Sequence, residues 1–304
     1  MKKIISYILI LLPILILSAC QTYISYDIIV TDYVAYDFTK AIVKDTLDIK
    51  LITPIGSDFH NFEPTSQDLV EMKQVDVFIY LSFDQNPWLV DSNKLENLVK
   101  TDALTIGLSD LVDETEDVHE GHDEHLEHGS HFWTDPLTAV DIISHLTEAL
   151  IIKYPNYEAV FLSQSESYQN EILETTNLLE TFLETQTIKD IYYVGHHALQ
   201  MFESHFGLTI HALEDSINPS GDVTSIEISS FINVLKNEQI KYLFVEEVKS
   251  RQTANYIKDM VGNMVILELH GYHTVSLEDW NLGVTYNDLF YRNYENIKEA
   301  LING

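Results

Sequence analysis

Cysteine occurs once in these 304 residues, at Cys20. Beyond that position the chain has no disulfide and no thiolate to act as nucleophile or metal ligand. Basic residues are also scarce: 17 Lys and Arg stand against 48 Asp and Glu, for a formal net charge of −31. That balance argues against nucleic-acid binding, because neutralising phosphates needs a basic face. A negative field instead raises the local concentration of cations. Catalytic signatures are missing as well. The chain has no His-Glu-x-x-His, no Gly-x-Ser-x-Gly, and neither Gly-x-Gly-x-x-Gly nor a phosphate loop.

The first twenty residues read as an export signal. Lys2 and Lys3 precede an apolar run from Ile4 to Leu17, broken by Ser6 and Pro13, and Leu17-Ser18-Ala19-Cys20 follows. The run is short for a spanning helix, which needs about 20 residues. A basic start, an apolar core and small residues before a cut describe a secretory signal. The cysteine at the cut makes it resemble a bacterial lipoprotein signal, with Cys20 as the lipidated first residue. The expected location is extracytoplasmic, anchored to the membrane by that lipid.

Strand and helix signals alternate along the rest. Ile28-Ile29-Val30 reads as a strand and Tyr33 to Val43 as a helix. Leu51-Ile52 follows as a strand, Asp68 to Lys73 as a helix, and Val75 to Leu81 as a buried strand. After Pro136 a helical pattern runs from Leu137 to Tyr154. From Glu158 to Thr185 no Gly or Pro interrupts another, longer than the usual globular helix. The alternation then restarts at Ile191 and ends in a helix over Asp288 to Ile302. This predicts an α/β fold of two similar lobes with parallel-rich sheets flanked by helices. The expected division is a signal at 1–20, an N-terminal lobe at 21–157, a connector helix at 158–186 and a C-terminal lobe at 187–304. Residues 113–130 form an acidic, His-rich stretch poor in apolar residues, which reads as an exposed loop.

Four histidines stand out by context. His60 lies in Gly56-Ser57-Asp58-Phe59-His60-Asn61-Phe62-Glu63-Pro64, and His131 in His131-Phe132-Trp133-Thr134-Asp135-Pro136. His196 lies in Val194-Gly195-His196-His197, and His273 in His270-Gly271-Tyr272-His273. His60 and His196 follow predicted strands, and ligands in open α/β sheets bind outside the carboxyl ends of strands. His131 precedes a helix start marked by Asp135-Pro136. Groups so dispersed in sequence can meet only in a folded cleft, two from each half. Imidazole suits zinc, copper or nickel, so the pattern points to transition-metal capture. Asp58, Glu63 and Trp133 are candidates to shape such a site. His145, His205 and His211 read as ordinary surface or core residues.

These motifs resemble the zinc/manganese solute-binding lipoproteins of metal ABC transporters, the cluster A-I family. The resemblance covers essentially the whole chain. The Gly56–Pro64 and His131–Pro136 segments are similar to the family's first two metal motifs. The third motif's ligand stands eleven residues before a Gly-Leu pair, here Gly207-Leu208, which selects His196 over His197. The His-rich loop, with His119, His122, His125 and His128, is typical of zinc members and implies an auxiliary low-affinity metal site. The long helix resembles the family's connector between lobes. For the fourth ligand the family uses Asp or Glu, and His273 occupies the best-matching stretch here, with Glu278, Asp279 and His270 as competitors.

The resemblance implies a metal centre of His60, His131, His196 and His273 in the interlobe cleft. It implies a monomer that captures Zn²⁺ and delivers it to an ABC permease and its ATPase. A histidine in the third motif, where manganese members carry Glu, favours zinc, and four nitrogens suit tetrahedral Zn²⁺. A manganese-binding member, a surface adhesin or a metal store are the alternatives. A zinc hydrolase is the rival class, and it would need an open coordination position and a general base.

Overall fold

A computed structural model describes residues 26–112, 131–214, 223–247 and 251–304. Cys20 and its signal, and His119, His122, His125 and His128, lie outside the described residues.

The chain forms two parallel sheets of four strands. The first contains β1 (Ile28–Val30), β2 (Ile49–Leu51), β3 (Val77–Tyr80) and β4 (Leu104–Gly107), in the order β2-β1-β3-β4. Ile28 pairs with Ile49 on one side and Val77 on the other. The second contains β5 (Asp190–His196), β6 (Thr209–Glu214), β7 (Tyr242–Val245) and β8 (Val265–Glu268), in the order β6-β5-β7-β8. The two orders are the same relative to the chain. No sequence repeat announces this likeness, because parallel topology constrains apolar pattern and crossover length rather than residue identity.

Parallel neighbours need crossovers, and helices supply them. In the first half these are α1 (Tyr33–Val43), α2 (Ser66–Met72) and α3 (Ser92–Leu98). The fully apolar strands β1 and β3 are buried throughout, as expected for a sheet covered on both faces. The α1 helix starts where Asp32 accepts the Ala35 N–H at 3.0 Å, a side-chain cap for one orphan donor. Next comes α4 (Pro136–Lys153), whose N-cap Asp135 accepts from the Leu137 and Thr138 N–H groups.

The connector is α5 (Glu158–Glu184), 27 residues long, or about 40 Å at 1.5 Å per residue. Phe161, Ser165, Tyr168, Ile172, Thr175, Leu179 and Leu183 are its buried stripe, at the alternating three- and four-residue spacing of one helical face. The second half contributes α6 (Gln200–Phe206), α7 (Ser225–Asn237), α8 (Gln252–Val261), α9 (Leu277–Leu282) and α10 (Tyr286–Asn303). α5 packs against α1, α4 and α10. Polar contacts lock it there: Tyr168 bonds Asp37 at 2.5 Å, and Thr175 donates to Asn287 at 2.9 Å. Phe38, Phe161, Leu179, Phe202 and Phe290 share one apolar core drawn from both halves.

Three elements have no counterpart in the sequence reading: α3, β4 and α9. Each is seven residues or fewer and carries only two or three apolar residues between polar flanks, too few to display a period. Among the described residues, no helix is long and apolar enough to cross a membrane.

Candidate metal centre

The site is assembled from four short segments at the carboxyl ends of the two sheets. His60 sits in a single 3₁₀ turn, Phe59–Asn61, rather than in an open loop. Asp58 caps that turn by accepting the His60 N–H at 3.0 Å. Phe59 is fully buried and anchors it. His131 leads into the turn Phe132–Thr134, and both the N–H and the hydroxyl of Thr134 bond back to the His131 carbonyl, at 3.0 and 2.9 Å.

His196 is the last residue of β5, so the strand runs two residues past Val194, where the sequence pattern stops. The pairing with β6 slips between Tyr193 and His196. Gly195 is needed there because a Cβ on it would lie 2.6 Å from Glu246 Oε2. His273 lies between β8 and α9, in a loop shaped by Tyr272 at φ 66°. That left-handed conformation is costly for a bulky residue. It is held by burial of the Tyr272 ring against Tyr286, with centroids 4.2 Å apart, and by the Asn293 amide, which donates to the Tyr272 hydroxyl.

One ring nitrogen from each of His60, His131, His196 and His273 lies within 4.8 Å of all the others. The Nε2 atoms of His131 and His196 are 3.4 Å apart. A tetrahedral ion with metal–nitrogen distances of about 2.0–2.1 Å places its ligand atoms roughly 3.3–3.4 Å apart. The Nε2 atoms of His60 and His273 are buried without a hydrogen-bond partner, an uncommon state for an interior polar atom. His131, His196 and His273 are at most 5% exposed, whereas His60 is half-buried.

The competing residues lie elsewhere or face away. Glu278 is exposed. Asp279 is held by Arg292 at 2.7 Å and by Ser276. His270 is buried, but its Nδ1 accepts the Tyr272 N–H inside its own loop. His197 faces Glu203 at 2.8 Å. His205 bridges Asp135 and Glu180, and His211 pairs with Asp190. Trp133 is fully buried with its ring 5.1 Å from His131 and 6.2 Å from His273. Asp58 serves as a cap, and Glu63 is exposed.

Two residues that the sequence reading passed over stand directly behind the histidines. Glu247 Oε1 lies 2.8 Å from His273 Nδ1, and it also accepts the His273 N–H at 2.9 Å. Its Oε2 accepts the Gly271 N–H at 2.9 Å. Glu246 Oε1 lies 2.9 Å from His196 Nδ1, and its Oε2 accepts the His196 N–H at 3.2 Å. The sequence signal was an acidic pair closing the apolar strand Tyr242–Val245, at a carboxyl edge.

The electrostatics follow from burial and from these pairs. Burial, helped by repulsion from His273, pushes His60 down to about 4. Burial and the neighbouring imidazoles push His131 well below the ordinary range. Burial alone would also lower His273, but the Glu247 carboxylate beside it lifts it above the ordinary value. Burial would raise Glu247, yet His270 and His273 hold it far below the usual carboxylate range.

The model of the family described as zinc-uptake complex component A, periplasmic (ZnuA), matches residues 28–300. The chain belongs to that family. Among its curated relatives, the high-affinity zinc uptake system protein ZnuA of Bacillus subtilis is 26% identical over 90% of this chain and 87% of its own length. The zinc-binding lipoprotein AdcA of Streptococcus pneumoniae (strain R6) is 24% identical over 99% of this chain, which spans 61% of AdcA's length. The Zn(II)-bound ZnuA-like domain of pneumococcal AdcA shares the fold, with a TM-score of 0.74 at 22% identity over 91% of this chain and 99% of that one.

Proposed function

We propose that this ZnuA-family chain captures Zn²⁺ outside the cytoplasm with His60, His131, His196 and His273 and delivers it to an ABC permease with its ATPase. The observation that carries this reading is the 3.4 Å separation of His131 and His196 Nε2 within a four-nitrogen cluster no wider than 4.8 Å. That spacing suits a small tetrahedral ion. The relatives named for zinc uptake support the same cargo. Manganese is the weaker reading, because it prefers carboxylate oxygen, and the two nearby carboxylates lie behind the histidines, 2.8 and 2.9 Å from the Nδ1 atoms of His273 and His196.

The division into an N-terminal lobe (21–157), a connector helix (158–186) and a C-terminal lobe (187–304) belongs to this proposal. So do the lipid anchor on Cys20, the monomeric state and an auxiliary role for His119, His122, His125 and His128. The protein acts by binding rather than catalysis, since four protein ligands leave no place for an activated water. Metal content of protein purified without added metal, followed by Zn²⁺ titration of chelator-stripped protein, tests the reading. One tightly held zinc per chain is expected. Stoichiometric manganese, or no tight site, would overturn it.

A further inference from the structure

Strand β7 lies between β5 and β8. The two residues that leave it, Glu246 and Glu247, reach in opposite directions. Glu246 contacts His196 at the end of β5, and Glu247 contacts His273 in the loop after β8. Both carboxylates are buried, at 5% and 4% exposure. Each meets a histidine at Nδ1, the nitrogen turned away from the centre, and also binds that residue's backbone N–H.

We propose that Glu246 and Glu247 are a positioning pair for the two second-lobe ligands and neutralise the charge of the captured ion. Glu247, by accepting from His273 Nδ1, fixes the tautomer that leaves the Nε2 lone pair facing the metal and makes that imidazole a stronger donor, while Glu246 sets its charge 2.9 Å from His196 Nδ1. The pair also solves a problem of charge. Four neutral imidazoles around Zn²⁺ leave the full double positive charge in a buried site. Two carboxylates directly behind the ligands balance it, and an unbalanced buried charge is costly. The close approach is built into the backbone, because only a residue without a Cβ fits at Gly195 against Glu246. Gly271 is likewise constrained, since a Cβ there would stand 2.8 Å from the His273 ring. The second lobe therefore presents its two ligands already oriented.

This inference rests on the proposed zinc site, and one set of variants separates the two. Glu246→Gln and Glu247→Gln keep an oxygen able to accept from Nδ1 but remove the charge, and exposed Glu278→Gln is the control. Zinc affinity is read by competition with a chromophoric chelator, ligand geometry by the visible spectrum of the Co²⁺ form, and integrity by thermal unfolding of metal-free protein. Each buried variant should bind zinc about 10–100-fold more weakly than wild type, with an altered Co²⁺ spectrum, while Glu278→Gln matches wild type. Because Glu247 also holds two backbone N–H groups, its variant carries more folding risk, and Glu246→Gln then decides the matter. Wild-type affinity in folded Glu246→Gln overturns the proposal. So does a loss that tracks metal-free stability with an unchanged Co²⁺ spectrum. Failure of wild-type protein to bind zinc would instead remove the site itself.

Discussion

Trp133 in the first half donates its indole N–H to the Gly271 carbonyl in the second, across 3.0 Å and two residues short of His273. A second bond crosses nearby, from the Gly56 N–H to Thr274 Oγ1 at 2.9 Å. The Tyr286 hydroxyl completes the tie by donating to the Trp133 carbonyl at 2.9 Å. The loops bearing His60, His131 and His273 are thus fastened to one another before any ion is considered.

Trp133→Phe should therefore weaken zinc binding by about tenfold, equivalent to about 1.4 kcal/mol. The substitution leaves the buried Gly271 carbonyl without its donor, at a cost of about 1–3 kcal/mol. Chelator competition and thermal unfolding measure the two effects. An unchanged affinity would show that the interlobe tie does not position the ligands.

His273→Ala should lower zinc affinity by more than about 100-fold, beyond the range of an outer-shell loss. Glu278→Ala should have no effect, because that side chain is exposed. Asp279→Ala should reduce stability without a comparable loss of affinity, since its partners are Arg292 and Ser276. His270→Ala should behave likewise, because its Nδ1 is committed to Tyr272. A crystal structure with zinc on Glu278, Asp279 or His270 would refute the assignment of His273.

The alternation of strands and helices was legible because apolar runs such as Val77–Tyr80 and the uninterrupted span before Thr185 carry their own period. The histidines were legible because few other residue types suit a transition metal in a chain nearly without cysteine. Glu246 and Glu247 were not, since two glutamates are unremarkable among 48 acidic residues. Their meaning depends on β7 lying between β5 and β8, and sheet order is not written locally. The α9 helix did leave a trace in Ser276, which accepts the Asp279 N–H at 3.0 Å. That cap signal is easily lost beside the histidine motif.

Removing residues 118–129 should leave the high-affinity site intact. All four clustered nitrogens come from outside that stretch. Zinc titration of the deletion variant checks this. A loss as large as that of His60→Ala would show that one of His119, His122, His125 and His128 is a direct ligand.

Zinc should outcompete manganese by several orders of magnitude. The general order of affinity for nitrogen sites favours zinc over manganese, and the carboxylates that manganese prefers are engaged behind His196 and His273. Competition titration of metal-stripped protein reads the ratio directly. Tighter manganese than zinc binding would mean that one of those carboxylates turns inward to coordinate.

Zinc affinity should fall with acidification in two stages. Ligand histidines must be neutral to coordinate. His273 is the ligand whose pKa is raised, by Glu247 against the opposing effect of burial. In the metal-free protein it therefore holds its proton to a pH above the ordinary value of about 6.5. Below that raised value zinc must displace this proton, which by itself lowers affinity by about one power of ten per pH unit. His60, pushed down to about 4 by burial and by repulsion from His273, stays neutral over most of this range. His131, also lowered by burial, does the same. The His60 proton competes only near and below pH 4, where the dependence should steepen. Affinity measured between pH 7.5 and 5 gives the first slope, and calorimetry in buffers of different ionisation enthalpy counts the protons released. A loss of three or more powers of ten per unit through pH 6.5 would show that the histidines titrate together. The separation imposed by Glu247 would then be absent.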